Sequence, residues 1–388
     1  MERVENRVKT KNRNNKKSIK LKSGDFWLML FTVMLVIFGL IMVFSASYYY
    51  SISRDGNAYS YLLRHGMWVV VGFGAFIFGS LFDYRQYRKI AIPALIFSVL
   101  LLILVLTPLG QTTNGATRWI KLGPVTLMPG EIAKMGAILF VAWFLSEDTG
   151  RIKSLTRGIL PLLGVAALYG ALIIMQPNLS TAITVCGIII AMMLVAGLKW
   201  RYVITAGGIG AAGILGILLF MRDTYWYSRL TSFTDPFSDP LNTGYQAVQS
   251  LLALGSGGLF GVGLGKSVQK NLYLPEPQND FILAIIGEEL GFAGVLLLIV
   301  LYCLFLWRGM HVAINAPDQF GLLLASGIVL MVAIQVILNI AVVTSSMPPT
   351  GINLPFISYG GNALLIFMFA AGVLINISRH EPKNTGVN

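Results

Sequence analysis

Phe26-Trp-Leu-Met-Leu-Phe-Thr-Val-Met-Leu-Val-Ile-Phe-Gly-Leu-Ile-Met-Val-Phe-Ser-Ala46 runs 21 residues without a charged side chain. A bilayer's hydrocarbon core is about 30 Å thick and takes about 20 apolar residues of helix to cross, so this stretch has the length of a membrane span. It is too long for a secretory h-region and lacks a small-residue cleavage site, so it is expected to stay as an anchor. Nine further runs, bounded by charge or by Gly/Pro clusters, follow: Met67–Phe82, Ile90–Thr107, Ile132–Leu145, Leu155–Met175, Thr181–Gly197, Tyr202–Met221, Phe281–Trp307, Phe320–Val343 and Ala363–Ile377. The whole chain agrees with this reading. Of its 388 residues 55% are apolar and 12% charged, against roughly 25% charged in a soluble domain, and mean hydropathy is +0.72. The expected fold is an all-α polytopic membrane protein of ten transmembrane helices, with a long extracytoplasmic loop between the seventh and eighth.

The formal charge of +12 would suggest nucleic acid in a soluble protein, but here it reports orientation. With the amino terminus inside, 20 of the 29 lysines and arginines fall in cytoplasmic segments and 8 in outer loops, as the positive-inside rule requires. Both termini are then cytoplasmic, in a plasma membrane. Residues 1–25 read as a disordered basic tail attracted to anionic lipid, residues 26–378 as the membrane domain, and residues 379–388 as a short cytoplasmic tail. No aromatics interleave with the basic arm, so no nucleic-acid partner is expected. Cys186 and Cys303 lie inside apolar runs, which argues against a disulfide framework or a cysteine metal site.

Three outer loops carry unusual content. Residues 222–280 contain Tyr225, Trp226 and Tyr227, an amphipathic Gln246–Leu254 stretch and a glycine series from Gly255 to Lys266; long loops of this kind are usually functional. Residues 108–130 place Asn114-Gly115, a turn dipeptide, before Arg118-Trp119. Residues 345–361 hold too many Pro and Gly for a helix. The glycine series resembles a P-loop only loosely: a Walker A motif needs glycine where Phe260 stands, so the glycines are read as allowing turns and close packing.

Ionisable groups at membrane depth mark function by default. Glu131 and Lys134 are three apart and share a helix face, so they can pair. Glu288 and Glu289 are adjacent, about 100° apart around a helix, and must face different partners. Asp280 stands where the long loop enters the eighth run. It reads either as the N-cap of that helix or as a carboxylate desolvated toward use as a general base, with Glu276 the nearest alternative acid. Asp280 and Glu288 are roughly 12 Å apart along a helix, beyond the separation of glycosidase carboxylate pairs. A mechanism with one carboxylate suits that spacing.

Ordered motifs across residues 25–378 resemble those of the SEDS proteins (shape, elongation, division and sporulation), the bacterial family that contains FtsW, RodA and SpoVE. They are Asn114-Gly-Ala-Thr-Arg-Trp-Ile120, Pro129-Gly-Glu-Ile-Ala-Lys134, Gln176-Pro-Asn-Leu-Ser-Thr-Ala182, Gly255 to Ser267, Leu274-Pro-Glu to Asp280-Phe-Ile, Gly287-Glu-Glu-Leu-Gly291 and Thr350-Gly-Ile-Asn-Leu-Pro-Phe-Ile-Ser-Tyr-Gly-Gly361. The last motif and the glycine series are more similar to the FtsW and SpoVE branches than to RodA. Departures occur at Gln278-Asn279, where the family commonly has His-Thr/Ser, at Asn178 and Ser180 in place of Asp and Gly, at Gly130 in place of Ser, and at Asn362, where Ser is usual.

The resemblance implies a ten-helix peptidoglycan glycosyltransferase that polymerises lipid II beside a class B penicillin-binding protein transpeptidase and other divisome or elongation proteins. It implies Asp280 as the catalytic residue, and Arg118, Trp119, Glu131, Lys134 and Ser358 as substrate-binding positions. A departing pyrophosphate needs cationic compensation, for which Arg118, Lys121, Lys266, Lys270 or a divalent cation (Mg or Mn) are candidates; no organic cofactor is expected. A lipid II flippase is the rival reading, for which the spans offer only Lys134, Glu288, Glu289 and some Ser/Thr. A non-catalytic scaffold for a transpeptidase is the third, and the division, elongation and sporulation branches stay open.

Overall fold

The computed structural model describes residues 23–113, 116–123, 125–205, 207, 208, 216, 234–242 and 244–380. Its helices are α1 (Phe26–Asp55), α2 (Ser60–Leu81), α3 (Tyr87–Val105), α4 (Pro129–Glu147), α5 (Leu160–Ile174), α6 (Leu179–Val195), α7 (Tyr245–Gly257), α8 (Ile282–Ile314), α9 (Gln319–Val343) and α10 (Gly361–Arg379). Among the described residues eight helical segments are long and apolar enough to cross a membrane, and α6 is a shorter apolar helix. The basic arm before residue 23, the Asn114-Gly115 dipeptide, most of the seventh run Tyr202–Met221, Tyr225–Tyr227 and the last eight residues lie outside the described residues.

The helices follow their sequence signals and in places outrun them. α1 continues nine residues past Ala46 and ends where Gly56 takes a left-handed φ of 68°, the glycine C-cap that closes many helices. At its other end the Asp25 side chain accepts from Leu28 N–H at 2.9 Å, an N-cap, and also pairs with Arg308 near the end of α8. α4 starts at Pro129, a favoured first-turn position. It is buried along most of its length, as are α9 and α10, whereas α2, α3 and α8 turn apolar side chains such as Val70, Phe97 and Leu297 outward. That outward face is the one lipid would cover.

The all-α expectation needs one correction. Three short strands, β1 (Gly110–Thr113), β2 (Ala116–Leu122) and β3 (Val125–Leu127), form an antiparallel sheet in the order β1-β2-β3. Along β2, Ala116 and Ile120 share one strand face with Arg118, while Thr117, Trp119 and Lys121 share the other. Ala116 and Ile120 are buried accordingly.

α8 is not one continuous helix. At Gly291 the backbone leaves helical geometry (φ 67°, ψ −167°), and the glycine series fills the break. Phe292 N–H donates to Gly258 O at 2.9 Å and Ala293 N–H to Leu259 O at 3.0 Å, while Val262 and Gly263 N–H donate to the Glu288 and Glu289 carbonyls at 2.9 and 3.0 Å. A Cβ on Gly261 would overlap the Glu289 carbonyl, so the glycines serve close approach, as the sequence suggested.

Glu288 and Glu289 lock the same junction by pointing apart. Glu288 accepts from Val268 and Gln269 N–H at 2.8 and 3.3 Å and from the Ser267 hydroxyl. Glu289 pairs with Lys270 at 2.7 Å and accepts from Ser45 of α1. Gly257 in α7 tests the packing: a Cβ there would overlap the Gly287 carbonyl, while one on Gly255 meets nothing within 4 Å. Gly257→Ala is therefore expected to lower the Tm of the detergent-purified protein, at a cost of about 1–3 kcal/mol. Gly255→Ala should leave the Tm unchanged or raise it.

Candidate functional site

A cavity of about 470 Å³ opens at the end of the bundle where the sheet, the Glu276–Asp280 segment and the 349–353 loop meet. Asp280 sits on its wall, directly before Phe281, the N-cap of α8. Gly351, with φ +68°, brings the facing loop up against it. A Cβ on Gly351 would lie 2.9 Å from Asp280 Oδ2 and 3.9 Å from Arg118 Nη1, so carboxylate and guanidinium converge on one point of the cavity.

Four groups hold Asp280 and the two residues before it. Asn339 of α9 donates from Nδ2 to the Asp280 carbonyl at 2.9 Å and to the Ile352 carbonyl at 2.7 Å. The Ser358 hydroxyl donates to Asn279 O at 2.6 Å and accepts from Leu354 N–H at 2.7 Å, and Tyr359 N–H donates to Gln278 O at 2.9 Å. Glu276, whose own φ of 49° is left-handed, accepts from the Gln278 and Asn279 amides at 3.1 and 2.8 Å and from Tyr50 of α1 at 3.1 Å. Burial pushes the Tyr359 phenol up, so this wall group stays neutral.

Arg118 projects from β2 into the cavity and donates to the Pro177 carbonyl. Trp119 lines the cavity beside it, as does Trp68 of α2. Deeper in, Lys134 pairs with Glu131 at 2.7 Å and donates to Gln335 at 3.0 Å, its side chain only 2% exposed. Pairing and hydrogen bonding are what allow such a charge to be buried. Asn178 keeps the N-cap of α6, accepting from Thr181 N–H at 3.3 Å, so an amide in place of a carboxylate there preserves the local fold.

The cavity thus brings together Asp280, Arg118, Trp119, Glu131 and Lys134. Ser358 stands behind it as a tether. Lys121 is exposed on β2, on the opposite strand face from Arg118, and Lys266 is exposed on the glycine loop; neither lines the cavity. Lys270 is corrected most clearly, because it is buried and committed to Glu289 and Ser45. Gln335, Asn339 and Gly351 were missed. Gln335 and Asn339 lie four apart in an otherwise apolar run, one helix face with two amides, and that spacing was the available signal.

Among the described residues no group of three or more His, Cys, Asp or Glu could hold a metal ion. A magnesium-like ion that arrives with phosphate needs only one or two carboxylates, and Asp280 and Glu276 both line the cavity.

Residues 26–383 match the model of the FtsW/RodA/SpoVE family, described as cell cycle protein. Stage V sporulation protein E of Bacillus subtilis is 42% identical over 363 residues, 93% of this chain and 99% of that protein. A probable peptidoglycan glycosyltransferase FtsW of Geobacter metallireducens is 38% identical, covering 95% of this chain and 98% of its own length. Among solved structures, a chain from a peptidoglycan synthase complex, described for the coordination of polymerization and crosslinking, superposes with a TM-score of 0.76 at 26% identity. That match covers 93% of this chain and 99% of the other. The rod shape determining protein RodA of Thermus thermophilus gives 0.69 at 27%, with the same coverage. The cavity and its tethers are therefore those of a chain that belongs to the FtsW/RodA/SpoVE family.

Proposed function

We propose that the cavity polymerises the glycan strands of peptidoglycan in division or sporulation, taking lipid II as substrate. The observation that carries this reading is the convergence of Asp280 Oδ2 and Arg118 Nη1 on Gly351 at the cavity wall. Asp280 takes the proton from the GlcNAc 4-hydroxyl of the acceptor lipid II as its oxygen attacks C1 of the donor MurNAc. The new O4–C1 bond forms as the bond from C1 to pyrophosphate breaks, and the electron pair leaves with undecaprenyl pyrophosphate. Attack opposite the leaving group inverts C1 and needs one carboxylate. Arg118 compensates the departing charge, while the Trp119 and Trp68 rings offer flat apolar faces to the sugars. A divalent cation, Mg or Mn, would neutralise pyrophosphate charge when bound, held by Asp280 and Glu276.

Ten spans with both termini cytoplasmic place this cavity outside. The support is the distribution of Lys and Arg along the sequence, together with eight described segments, α6 and the seventh run. A class B penicillin-binding protein is the proposed partner, supported by the complex in which the similar solved chain occurs.

Asp280→Asn, purified with its partner, is expected to lose polymerisation of labelled lipid II by at least ~10² fold with an unchanged Tm; retained polymer sinks the assignment. Arg118→Lys keeps a charge but loses the planar fork and should be slowed more in turnover than in KM, which single-turnover kinetics on lipid II would show. If vesicles containing the wild-type chain translocate lipid II and make no polymer, the flippase reading replaces this one.

Asn339→Leu is expected to cut kcat well below the wild-type value because the Asp280 and Ile352 carbonyls lose their shared donor. Asn339→Ser, which can restore one of the two bonds, should recover part of it, a split that a simple folding defect would not produce.

A further inference from the structure

The tip of the glycine loop, residues 259–264, carries Leu259 and Phe260 at 67% and 83% exposure, with Val262 and Leu264 also exposed. No charged side chain occurs between Gly255 and Gly265. An exposed apolar tip on a water-facing loop costs solvation, so its depth relative to the membrane decides what it is.

Two rulers give that depth. Asp25 and Arg308, paired to each other, lie together at the end of the bundle opposite the cavity, and the exposed Trp307 sits beside them. Counting up α1, Ser45 is 20 residues from Asp25, about 30 Å along a helix, the full hydrocarbon thickness. Counting up α8 to the break, Phe292 is 15 residues from Trp307, about 22 Å, and Glu289 lies just beyond it. The rulers agree, because Ser45 and Glu289 are hydrogen-bonded to each other. Gly258 and Leu259 bond to Phe292 and Ala293, on the bilayer-centre side of the break. The tip is therefore at the depth of the outermost acyl carbons.

The backbone is built for that place. Non-helical chain at membrane depth must have its polar groups satisfied by protein, and the N–H groups of Gly261, Val262 and Gly263 donate to carbonyls of Gly257, Glu288 and Glu289. The exposed tip also continues the outward apolar side of α8, formed by Phe292, Leu296 and Leu297. We infer that residues 259–264 form a re-entrant tip inserted among the acyl chains of the leaflet on the cavity side, so that the partner of this surface is the bilayer itself. This inference rests on the membrane spans and is independent of the glycosyl transfer.

The test uses the full chain in phospholipid vesicles, with Cys186→Ala and Cys303→Ala as background and an environment-sensitive fluorophore on Phe260→Cys. Nitroxide placed high on the acyl chain should quench it at least about twofold more than nitroxide placed low, and aqueous iodide should quench it far less than the same label on Lys121→Cys. Iodide quenching equal to that at residue 121 puts the tip in water and overturns the inference. Protection from both lipid nitroxide and iodide puts the tip under protein and overturns it too. Leu264→Cys, on the same tip, gives the same reading if Phe260→Cys does not fold.

Discussion

The break in α8 at Gly291 is the constraint on which the site depends. An unbroken helix would leave the glycine series without the carbonyl and N–H partners that hold it, and the Glu288 and Glu289 side chains beside the break hold Ser267 to Lys270, where the chain sets off toward Asp280. Left-handed backbone and bare Cα atoms at Gly261 and Gly291 allow two chains to meet at backbone distance. Glu288 and Glu289 then fasten each side of the junction. Since each unsatisfied backbone group in a nonpolar setting costs several kcal/mol, exchanging ladder bonds between helix and loop makes the break tolerable.

Two buried lysines show why residue type alone could not assign roles. Lys134 and Lys270 each pair with a glutamate at 2.7 Å and each is almost fully covered. Lys134 lies on the cavity wall with Gln335 as its further partner, whereas Lys270 is closed in by Ser45 and Glu289, within the scaffold. What separates them is which element packs above, a tertiary fact. The Glu131–Lys134 pair was legible because both ends lie within one helical turn. The Lys270–Glu289 pair joins a loop to a helix 19 residues on and was not.

The same distinction covers the rest. Apolar run length revealed the helices directly, since crossing a bilayer is a one-dimensional requirement. The strands β1, β2 and β3 were read as a loop because they are short and polar and apolar side chains do not alternate along them. Asn339 went unnoticed because a single amide in a span has no local partner in the sequence; its two acceptors, the carbonyls of Asp280 and Ile352, are 59 and 13 positions away.

Asn339 also explains how a site made of loops can be rigid. Arg118 comes from a strand, Asp280 from the end of a long loop and Gly351 from a Pro-rich turn, and none of these lies within a helix. The carbonyls of Asp280 and of Ile352, the neighbour of Gly351, share one donor on α9, a helix buried along most of its length. The Ser358 hydroxyl and Tyr359 N–H then fix residues 278 and 279. These loops thus borrow the rigidity of the buried helix beneath them. Under the proposed transfer, that arrangement lets the reacting sugars meet at a fixed carboxylate while their lipid tails stay in the bilayer.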